Sequence, residues 1–374
     1  MMALENYIVW IFHGSKDNMT KKILLITHNQ FGYQIHMYEY AKYLRDDYDI
    51  KYLCFDYGRK KIQIPQVDVI YVERSSSRGK RLFDLLRAIN QHLKKNRYDL
   101  IVLKYFPFAS LVRLLFTKDK IFLNIRTGYT SSNSFRNFVS NSLLRLEASV
   151  FTDLIVLSES LRNYLGISQK KSVIIPLGAE VFSRKEYRYT SLDLIYVGTF
   201  NNRNIDETII GFNKFYQNNK IELELSYTII GFGSEEEEAN IIKYIEKFNL
   251  EDVVKFIGLV PYNELPAYFG QCNVGVSYIP ITPEYDVQPP TKTIEYLLSG
   301  LPTIATATKE NKKLINHRNG ALIDDTSDDF CRGLSKIASC EYDNSEIRKS
   351  VEEYRWEVIV NKKFKPLVQA LIEK

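Results

Sequence analysis

A chain of 374 residues is long enough for two domains, and its composition, 45% hydrophobic and 25% charged, is typical of a globular protein. It contains no run of 18 apolar residues, which argues against a membrane-spanning helix, and its four cysteines have no spacing that indicates a zinc site or a disulfide framework. The net charge of +5 is uneven, because residues 1–185 carry +13 and the remainder carries −8. The two halves are therefore expected to face different partners.

Short apolar runs alternate with helical patterns through the first half of the chain. Residues 23–27 are predicted to form the first strand, and we interpret residues 1–18 as an extension ahead of a natural start at Met19. Further strands are predicted at residues 51–55, 69–72, 100–103, 121–125, 154–157 and 172–175. Helices are predicted at residues 34–45, 81–95 and 134–150, with a short buried helix ending near residue 116. Apolar strands separated by helices indicate a parallel sheet that is covered on both faces.

The second half repeats this alternation after a polar segment, residues 182–192, which we interpret as an interdomain linker. Strands are predicted at residues 194–197, 224–230, 254–257, 274–276, 303–305 and 321–323. Helices are predicted at residues 206–216, 235–248, 262–271 and 292–299, with a last helix at residues 354–372. Open parallel sheets bind ligands beyond the carboxyl ends of their strands, so two such sheets are expected to enclose a cleft.

The segment at residues 288–306 is the most informative for function. Its pattern predicts a loop with two prolines, a helix that begins near Thr291, a glycine stop at Gly300 and a buried strand. Lys292 and Glu295 are three residues apart and therefore share one face of the first helical turn. A cation and a carboxylate beside free backbone N–H groups suit a diphosphate joined to a ribose. By spacing alone, an ordinary surface ion pair fits equally well.

The pattern Pro-x-Lys-x-x-Glu-Tyr-x-x-x-Gly-x-Pro in this segment resembles the donor-binding signature of glycosyltransferase family four, whose members have the GT-B fold. Further segments resemble the family in the same order, and together they extend the similarity over roughly residues 21–370. These segments are residues 151–159, 173–179, 194–199, 229–233 and 254–260.

The resemblance implies an α/β protein of GT-B fold, with two doubly wound parallel-sheet (Rossmann-like) domains that face each other across a cleft. Residues 1–185 would form the acceptor-binding domain and residues 186–353 the nucleotide-sugar-binding domain. Residues 354–374 would form a helix that packs back on the first domain.

The resemblance also implies a donor site at the start of the second domain. Gly198 and Thr199 end its first strand, and Arg203 is the only cation in the loop that follows, where relatives hold a diphosphate. Lys292 is the expected phosphate ligand and Glu295 the expected ribose ligand. Because Lys292 and Arg203 would neutralise the departing diphosphate, both are also candidate catalytic residues.

Other turns carry weaker candidates. Gly231 and Val260 follow strands, and the second of these turns flanks the nucleobase in relatives. After the first strand, relatives carry glycines that approach the donor phosphate, and in this chain only Gly32 remains. Where many relatives carry a histidine beside the reacting sugar carbon, this chain has Arg126 and then Thr127. Arg126 would stabilise the leaving phosphate or bind an acidic acceptor, or else serve as a structural arginine at the edge of the cleft.

The sequence departs from the family at one important position. Relatives carry a first glutamate eight residues before the position of Glu295, and here that position is Val287. Glu284 or Asp286 would have to move in to hold the sugar hydroxyls. The helix start at Thr291 completes the expected donor contacts.

We therefore expect a retaining, metal-independent glycosyltransferase that needs no cofactor beyond a uridine- or guanosine-diphosphate sugar. Its acceptor would be a glycan or a lipid-linked hydroxyl in bacterial surface polysaccharide or glycolipid assembly. Two alternatives stay open at this point. A nucleotide-sugar epimerase of GT-B fold is one, and a non-catalytic sugar-nucleotide-binding scaffold is the other.

The basic first half suggests a location at the inner face of the cell membrane, in contact with anionic lipid. Eight of its cations fall at residues 74–97, where leucines and an isoleucine mark the apolar side of a predicted amphipathic helix. Scattered charges that only maintain solubility are the alternative. Nucleic acid is not expected as a partner, since no binding module accompanies the charge.

Overall fold

The computed structural model describes residues 20–131, 133–219 and 222–373, apart from the side chain of Arg78. The predicted extension at residues 1–18 lies outside the described residues.

Seven parallel strands form the first sheet. They are β1 (Lys22–Ile26), β2 (Asp49–Asp56), β3 (Val67–Glu73), β4 (Leu100–Lys104), β5 (Ile121–Ile125), β6 (Asp153–Val156) and β7 (Ser172–Ile174). Their spatial order is β3-β2-β1-β4-β5-β6-β7. The order reverses between β1 and β4, which makes the carboxyl ends of these two strands the topological switch point of the sheet.

Helices cover both faces of this sheet, as the uninterrupted apolar strands require. They are α1 (Ile35–Leu44), α2 (Arg78–Lys95), α3 (Ser110–Leu115), α4 (Ser134–Ser149) and α5 (Glu159–Tyr164). The last four pack on one face, where they share a core cluster with alternate residues of the strands. Helix α1 packs on the opposite face.

Six parallel strands form the second sheet. They are β8 (Ser191–Thr199), β9 (Glu224–Phe232), β10 (Val254–Gly258), β11 (Val274–Ser277), β12 (Thr303–Thr306) and β13 (Gly320–Ile323). Their order is β10-β9-β8-β11-β12-β13, so this sheet also has a switch point, between β8 and β11. The two parallel sheets confirm the predicted GT-B architecture.

Seven helices accompany the described part of the second sheet. They are α6 (Asp206–Asn219), α7 (Glu235–Lys247), α8 (Leu265–Phe269), α9 (Thr291–Leu298), α10 (Asn311–Leu314), α11 (Ser327–Ala338) and α12 (Asn344–Lys349). The helix predicted at residues 262–271 is shorter than expected. It begins as a 3₁₀ turn at Tyr262–Glu264 and becomes α-helical only around Pro266, which is tolerated in a first turn.

The C-terminal segment returns to the first sheet. It contains α13 (Trp356–Ile359), a π-helical turn at Val360–Phe364 and α14 (Lys365–Glu373), where the sequence predicted one continuous helix. Pro366 has no N–H that could donate to the carbonyl four residues earlier, and the π-helical turn accommodates this missing hydrogen bond. Phe364 stacks on Tyr40 of α1 with 3.8 Å between the ring centroids. This segment therefore covers the face that α1 leaves open.

Two further findings concern the helices. The short helix predicted to be buried, α3, is mostly exposed, and of its residues only Val112 is fully buried. Within the described part of the chain, no helix combines the length and the hydropathy needed to cross a bilayer.

Candidate functional site

A cavity of about 440 Å³ lies between the two sheets, mainly against the carboxyl ends of β8 and β11. The loop between β11 and α9 forms one side of it, and Ile35 at the start of α1 closes the other. Its walls contain Val197, Gly198, Thr199, Arg203, Tyr262, Leu265, Ile279, Tyr285, Gln288, Pro289, Pro290, Thr291, Lys292 and Glu295. The cavity thus occupies the crevice where open α/β sheets bind ligands.

The N-terminus of α9, with its partial positive charge, lies at this cavity. Pro290 precedes the helix and its side chain caps no backbone N–H, so the first amide groups stay available to a ligand. The Lys292 ammonium is buried and has no hydrogen-bond partner in the described structure, and it lies 3.9 Å from the centroid of the Tyr196 ring. Burial, together with the nearby Arg203, lowers the pKa of Lys292 well below its usual value. A buried and unpaired ammonium of this kind is costly until an anion arrives.

Gly198 explains how the Lys292 side chain reaches its place. A Cβ on Gly198 would lie 3.0 Å from the Lys292 ammonium and 3.3 Å from the Tyr196 hydroxyl. The absence of that carbon leaves room for the cation directly beyond the carboxyl end of β8. Glycine at this position therefore serves the site as well as the turn.

The loop after β8 directs Arg203 towards the same space. Asn202 and Asn204 have φ of 54° and 49°, a left-handed conformation that asparagine tolerates better than most residues. Between them, the Arg203 guanidinium lies over the Tyr285 ring, 4.0 Å from its centroid, and its Nη1 has no partner among the described atoms. Two cations with free donor capacity therefore meet beside an uncapped helix N-terminus.

Glu295 is the one carboxylate among the cavity-lining residues, and it is 8% exposed. Its Oε1 accepts a hydrogen bond of 3.3 Å from the Tyr262 hydroxyl. Burial raises the pKa of Glu295 to about 7, against the lowering effect of that hydrogen bond. Glu295 is thus placed to change its charge near neutral pH, one helical turn from Lys292.

Two family models match the chain in sequence. The second half matches "Glycosyl transferases group 1" over residues 181–355, and the first half matches "Glycosyl transferase 4-like" over residues 22–120. The chain is a family-four-type glycosyltransferase. No curated protein sequence matches it.

Solved structures share the fold of this glycosyltransferase at low identity. Sucrose-phosphate synthase from Thermosynechococcus elongatus aligns with a TM-score of 0.70 at 16% identity, over 95% of this chain and 100% of that one. Anabaena HepE in complex with UDP and glucose aligns with a TM-score of 0.67 at 15% identity, over 94% and 100%. The apo lipopolysaccharide outer core galactosyltransferase WaaB aligns with a TM-score of 0.67 at 15% identity, over 93% and 99%.

The glycosyltransferase brings half of its sequence-predicted residues into the cavity. These are Gly198, Thr199, Arg203, Thr291, Lys292 and Glu295. The other six, Gly32, Arg126, Gly231, Val260, Glu284 and Asp286, do not line it.

Two of the predicted glycines have structural reasons to be glycine. Gly32 has φ of 83°, and a Cβ there would lie 2.3 Å from Cδ1 of Ile62, so a side chain is excluded by both the backbone and its neighbour. A Cβ on Gly231 would lie 1.8 Å from the carbonyl oxygen of Gly198. Gly231 therefore permits the close pairing of β8 and β9 beside the cavity. Val260 instead packs partly buried against a neighbouring core cluster.

The two carboxylates expected to replace the missing glutamate are engaged elsewhere. Asp286 accepts 2.7 Å from the backbone N–H of Lys309 and forms a 3.1 Å ion pair with its ammonium. Glu284 accepts 3.2 Å from the Asn137 side chain, across the domain boundary. Both stabilise the loop that precedes α9, and neither faces the cavity in this arrangement.

Val287, which occupies the position of the family's first glutamate, is buried against the first domain. It is 4% exposed and belongs to the apolar cluster that includes α4 and α5. Its carbonyl accepts 3.2 Å from the Ser158 hydroxyl, and the next residue, Gln288, accepts from the Thr127 hydroxyl. Val287 therefore makes an apolar contact between the domains where the resemblance implied a donor contact.

Arg126 lies outside the cavity, buried in the first domain. It is 7% exposed, and its guanidinium donates to the carbonyls of Ile175 and Pro176 at 2.9 and 3.4 Å and to the Tyr40 hydroxyl at 3.4 Å. These contacts join the ends of β5 and β7 to α1, which favours the structural alternative for Arg126.

Two other titratable side chains lie at the switch point of the first sheet. Lys104, at the end of β4, donates 3.0 Å to the side-chain oxygen of Asn29, and burial with Arg126 nearby lowers its pKa to about 7. Burial and the nearby Lys104 lower the pKa of His28 to about 4. Sequence reasoning gave no role to Lys104 or His28, whose strands β4 and β1 are brought together by the strand order of the sheet.

Sequence reasoning also missed residues that line the cavity itself. Tyr262 binds Glu295, Tyr285 stacks on Arg203, and Gln288 joins the loop to the first domain. Tyr285 and Gln288 flank the expected site of the missing glutamate, which was the available signal. Among the described residues, no group of three His, Cys, Asp or Glu side chains could hold a metal ion.

Proposed function

We propose that this glycosyltransferase moves a sugar from a nucleoside-diphosphate donor to an acceptor hydroxyl, with retention at the sugar carbon. The observation that carries the proposal is the pairing of Lys292 and Arg203 at the uncapped start of α9. Both have unused donor atoms and both face one cavity. Glu295, on the same helix, supplies a carboxylate where a ribose would follow the diphosphate. The two cations suit the diphosphate of a nucleoside diphosphate, and the carboxylate suits its ribose.

The same residues account for the chemistry of the transfer. As the bond between the sugar and the diphosphate breaks, negative charge grows on the leaving diphosphate. Lys292, Arg203 and the free N–H groups of α9 stabilise that charge without moving, because they are already placed. The leaving diphosphate takes the acceptor proton on the same face of the sugar, so we propose no protein nucleophile and no metal ion.

The neighbouring structures support a uridine-diphosphate donor. The HepE structures are described as complexes with UDP, with UDP and glucose, and with UDP-glucose. An E. coli structure with a TM-score of 0.69 at 10% identity is described as bound with UDP-2-fluoro glucose. We therefore rank UDP-linked sugars before GDP-linked ones for this chain.

We further propose that the acceptor is a glycan or a lipid-linked hydroxyl in bacterial surface polysaccharide or glycolipid assembly. The described similarity to WaaB, a lipopolysaccharide galactosyltransferase, supports that setting. The enzyme would then work in the cytoplasm at the inner face of the cell membrane.

A donor panel tests the proposal. Purified protein is titrated calorimetrically with UDP, GDP and thymidine diphosphate, and nucleotide release from the matching sugars is then measured with and without a glycan acceptor mixture. We expect one diphosphate to bind at least tenfold more tightly than the others, and acceptor to raise the release of that nucleotide. Sugar isomerisation without acceptor would establish the epimerase instead. Binding without release would establish a scaffold, and no binding of any diphosphate would refute the donor site.

A further inference from the structure

The helices on one face of the first sheet expose large apolar side chains to solvent. Phe135, Phe138 and Leu146 of α4 are 75%, 69% and 68% exposed. Leu114 and Leu115 of α3 are 58% and 66% exposed. Single exposed apolar residues are ordinary, but a group of this size on adjacent helices marks an interaction site.

The pattern along α4 shows that the exposed residues form one stripe. Phe135, Phe138, Val139 and Leu146 recur at helical spacing and lie on one side of the helix. The opposite side packs on the sheet and includes polar residues, namely Asn137, Asn141 and Glu147. The outer side of α4 is thus more apolar than much of its buried side, which is the reverse of a solvent-facing helix.

The stripe continues onto the neighbouring helices. Glu147 of α4 accepts from the backbone N–H groups of Phe108 and Ser110, at 2.8 and 3.5 Å, and this fixes the start of α3 against α4. Helix α2 packs beside α3 in the same core cluster. We call the resulting surface the apolar face. It consists of Phe83, Phe108, Leu111, Leu114, Leu115, Phe135, Phe138, Val139 and Leu146.

Positive charge predominates in the chain segment that carries most of the apolar face. Residues 74–150 contain 15 Lys and Arg against 4 Asp and Glu. Of the four acids, Glu147 is buried beneath α3, and Asp99 and Asp119 pair with Lys21 and Arg97. The exposed cations include Lys80, Arg87, Lys94, Lys95, Lys118 and Arg136. A second copy of the chain would bring the same sign of charge to this surface, whereas an anionic lipid surface complements it.

The position of the stripe relative to the cleft also favours an anionic lipid surface as the partner. Helix α4 follows the loop at the end of β5, and Asn137 in its first turn donates to Glu284 in the loop that borders the cavity. The helix that carries the stripe therefore contacts, at its N-terminal end, the loop that borders the cavity. An acceptor held in the lipid would reach the cleft without leaving the membrane surface.

We propose that the apolar face is a membrane-docking surface for anionic lipid. Side chains of α3 and α4 enter the headgroup region, and the cations of α2 contact the headgroups. This deepens the proposed function and rests on it only for the delivery of a lipid-linked acceptor.

Vesicle sedimentation with a matched control tests the surface. The triple variant Phe135→Ser, Phe138→Ser, Leu146→Ser removes the stripe, and Ile242→Ser, at a 45% exposed position on α7 of the second domain, is the control. On vesicles of phosphatidylcholine with phosphatidylglycerol, we expect the wild type and the control to sediment. The triple variant should partition about tenfold or more weakly, because it loses the burial of three large apolar groups. Binding of the wild type should weaken with added salt.

Two further measurements keep the result interpretable. Thermal melting should be unchanged in the triple variant, since all three side chains are exposed, and UDP-glucose binding should also be unchanged. The proposal is overturned if the wild type ignores anionic vesicles or if the triple variant binds like the control. It is also overturned if the wild type is a dimer in solution that the triple variant dissociates. If the wild type binds anionic vesicles but does not bind UDP-glucose, the proposed function is refuted and this surface still stands.

Discussion

The two walls of the cleft both carry buried positive charge, but in different surroundings. On the second-domain wall, Lys292 and Arg203 lie near the carboxylate of Glu295 and face a cavity. On the first-domain wall, Lys104 and Arg126 are buried next to each other, and no carboxylate contributes to the pKa of either. On the second wall Glu295 partly offsets the charge of Lys292, whereas the described contacts of Lys104 and Arg126 are carbonyl, amide and hydroxyl oxygens.

The difference shows how each wall was built. The second wall comes from one helix start and one loop, so Lys292 and Glu295 occur together in one motif and Arg203 is the only cation in its loop. The first wall comes from the ends of β1, β4 and β5, which lie far apart in the chain and meet because the strand order places them side by side. The following predictions test whether the two walls differ in function as they do in electrostatics.

The largest effect is expected for Lys292→Ala on the second wall. Removing one preorganised group that stabilises a leaving oxyanion typically costs about 10²–10³-fold in turnover. We expect a loss of this size in nucleotide release, with little change in the acceptor Michaelis constant. Lys309→Ala is the control, because its ammonium pairs with Asp286 outside the cavity. Wild-type turnover in Lys292→Ala would place the diphosphate elsewhere.

A smaller effect is expected for Glu295→Gln on the same wall. If the carboxylate accepts the ribose hydroxyls, this change should weaken UDP-glucose binding by about 1–3 kcal/mol, or roughly 5- to 150-fold. The pKa of Glu295 is about 7 in the free protein, and binding favours the ionised form. Wild-type affinity should therefore fall as the pH drops through 7.

The pH dependence separates this role from a structural one. A nucleotide sugar has no phosphate proton to lose near neutral pH, so the fall in affinity reports on the protein. In Glu295→Gln the affinity should be lower at pH 8 and should not fall between pH 8 and 6. Calorimetric titrations at the two pH values measure this, and an unchanged fall in the variant would assign it to another group.

How far the sequence predicted the site depends on whether a contact is local. Lys292 and Glu295 lie on one helical turn, and their motif was sufficient to predict that they share one cavity. Arg203 was predicted because it is the only cation in its loop. The alternating apolar runs likewise predicted both sheets, since each buried strand shows its own pattern.

The remaining features depend on contacts that are distant in the chain. The sequence shows that Val287 replaces the family's first glutamate. It does not show that Val287 is buried against α4 and α5, because that contact depends on how the other domain is placed. The stripe on α4 is also invisible to periodicity alone, because a helix that is apolar on two sides predicts a buried helix. Only the packed structure shows which of the two sides the sheet covers.

The smallest effect is expected for Lys104→Met, which tests the first wall. The folded pKa of Lys104 is about 7, below the value of about 10.4 for an unperturbed lysine. Between these values the unfolded chain binds more protons, so this group makes the protein more stable as the pH rises. Below pH 7 its charge carries the full destabilising cost. Lys104→Met should therefore exceed the wild type in stability at pH 6.5, and the advantage should shrink towards pH 9.5. Urea unfolding at the two pH values measures the difference, with the exposed Lys118→Met as the control. Equal stability of Lys104→Met and the wild type at pH 6.5 would show that the charge of Lys104 carries no such cost.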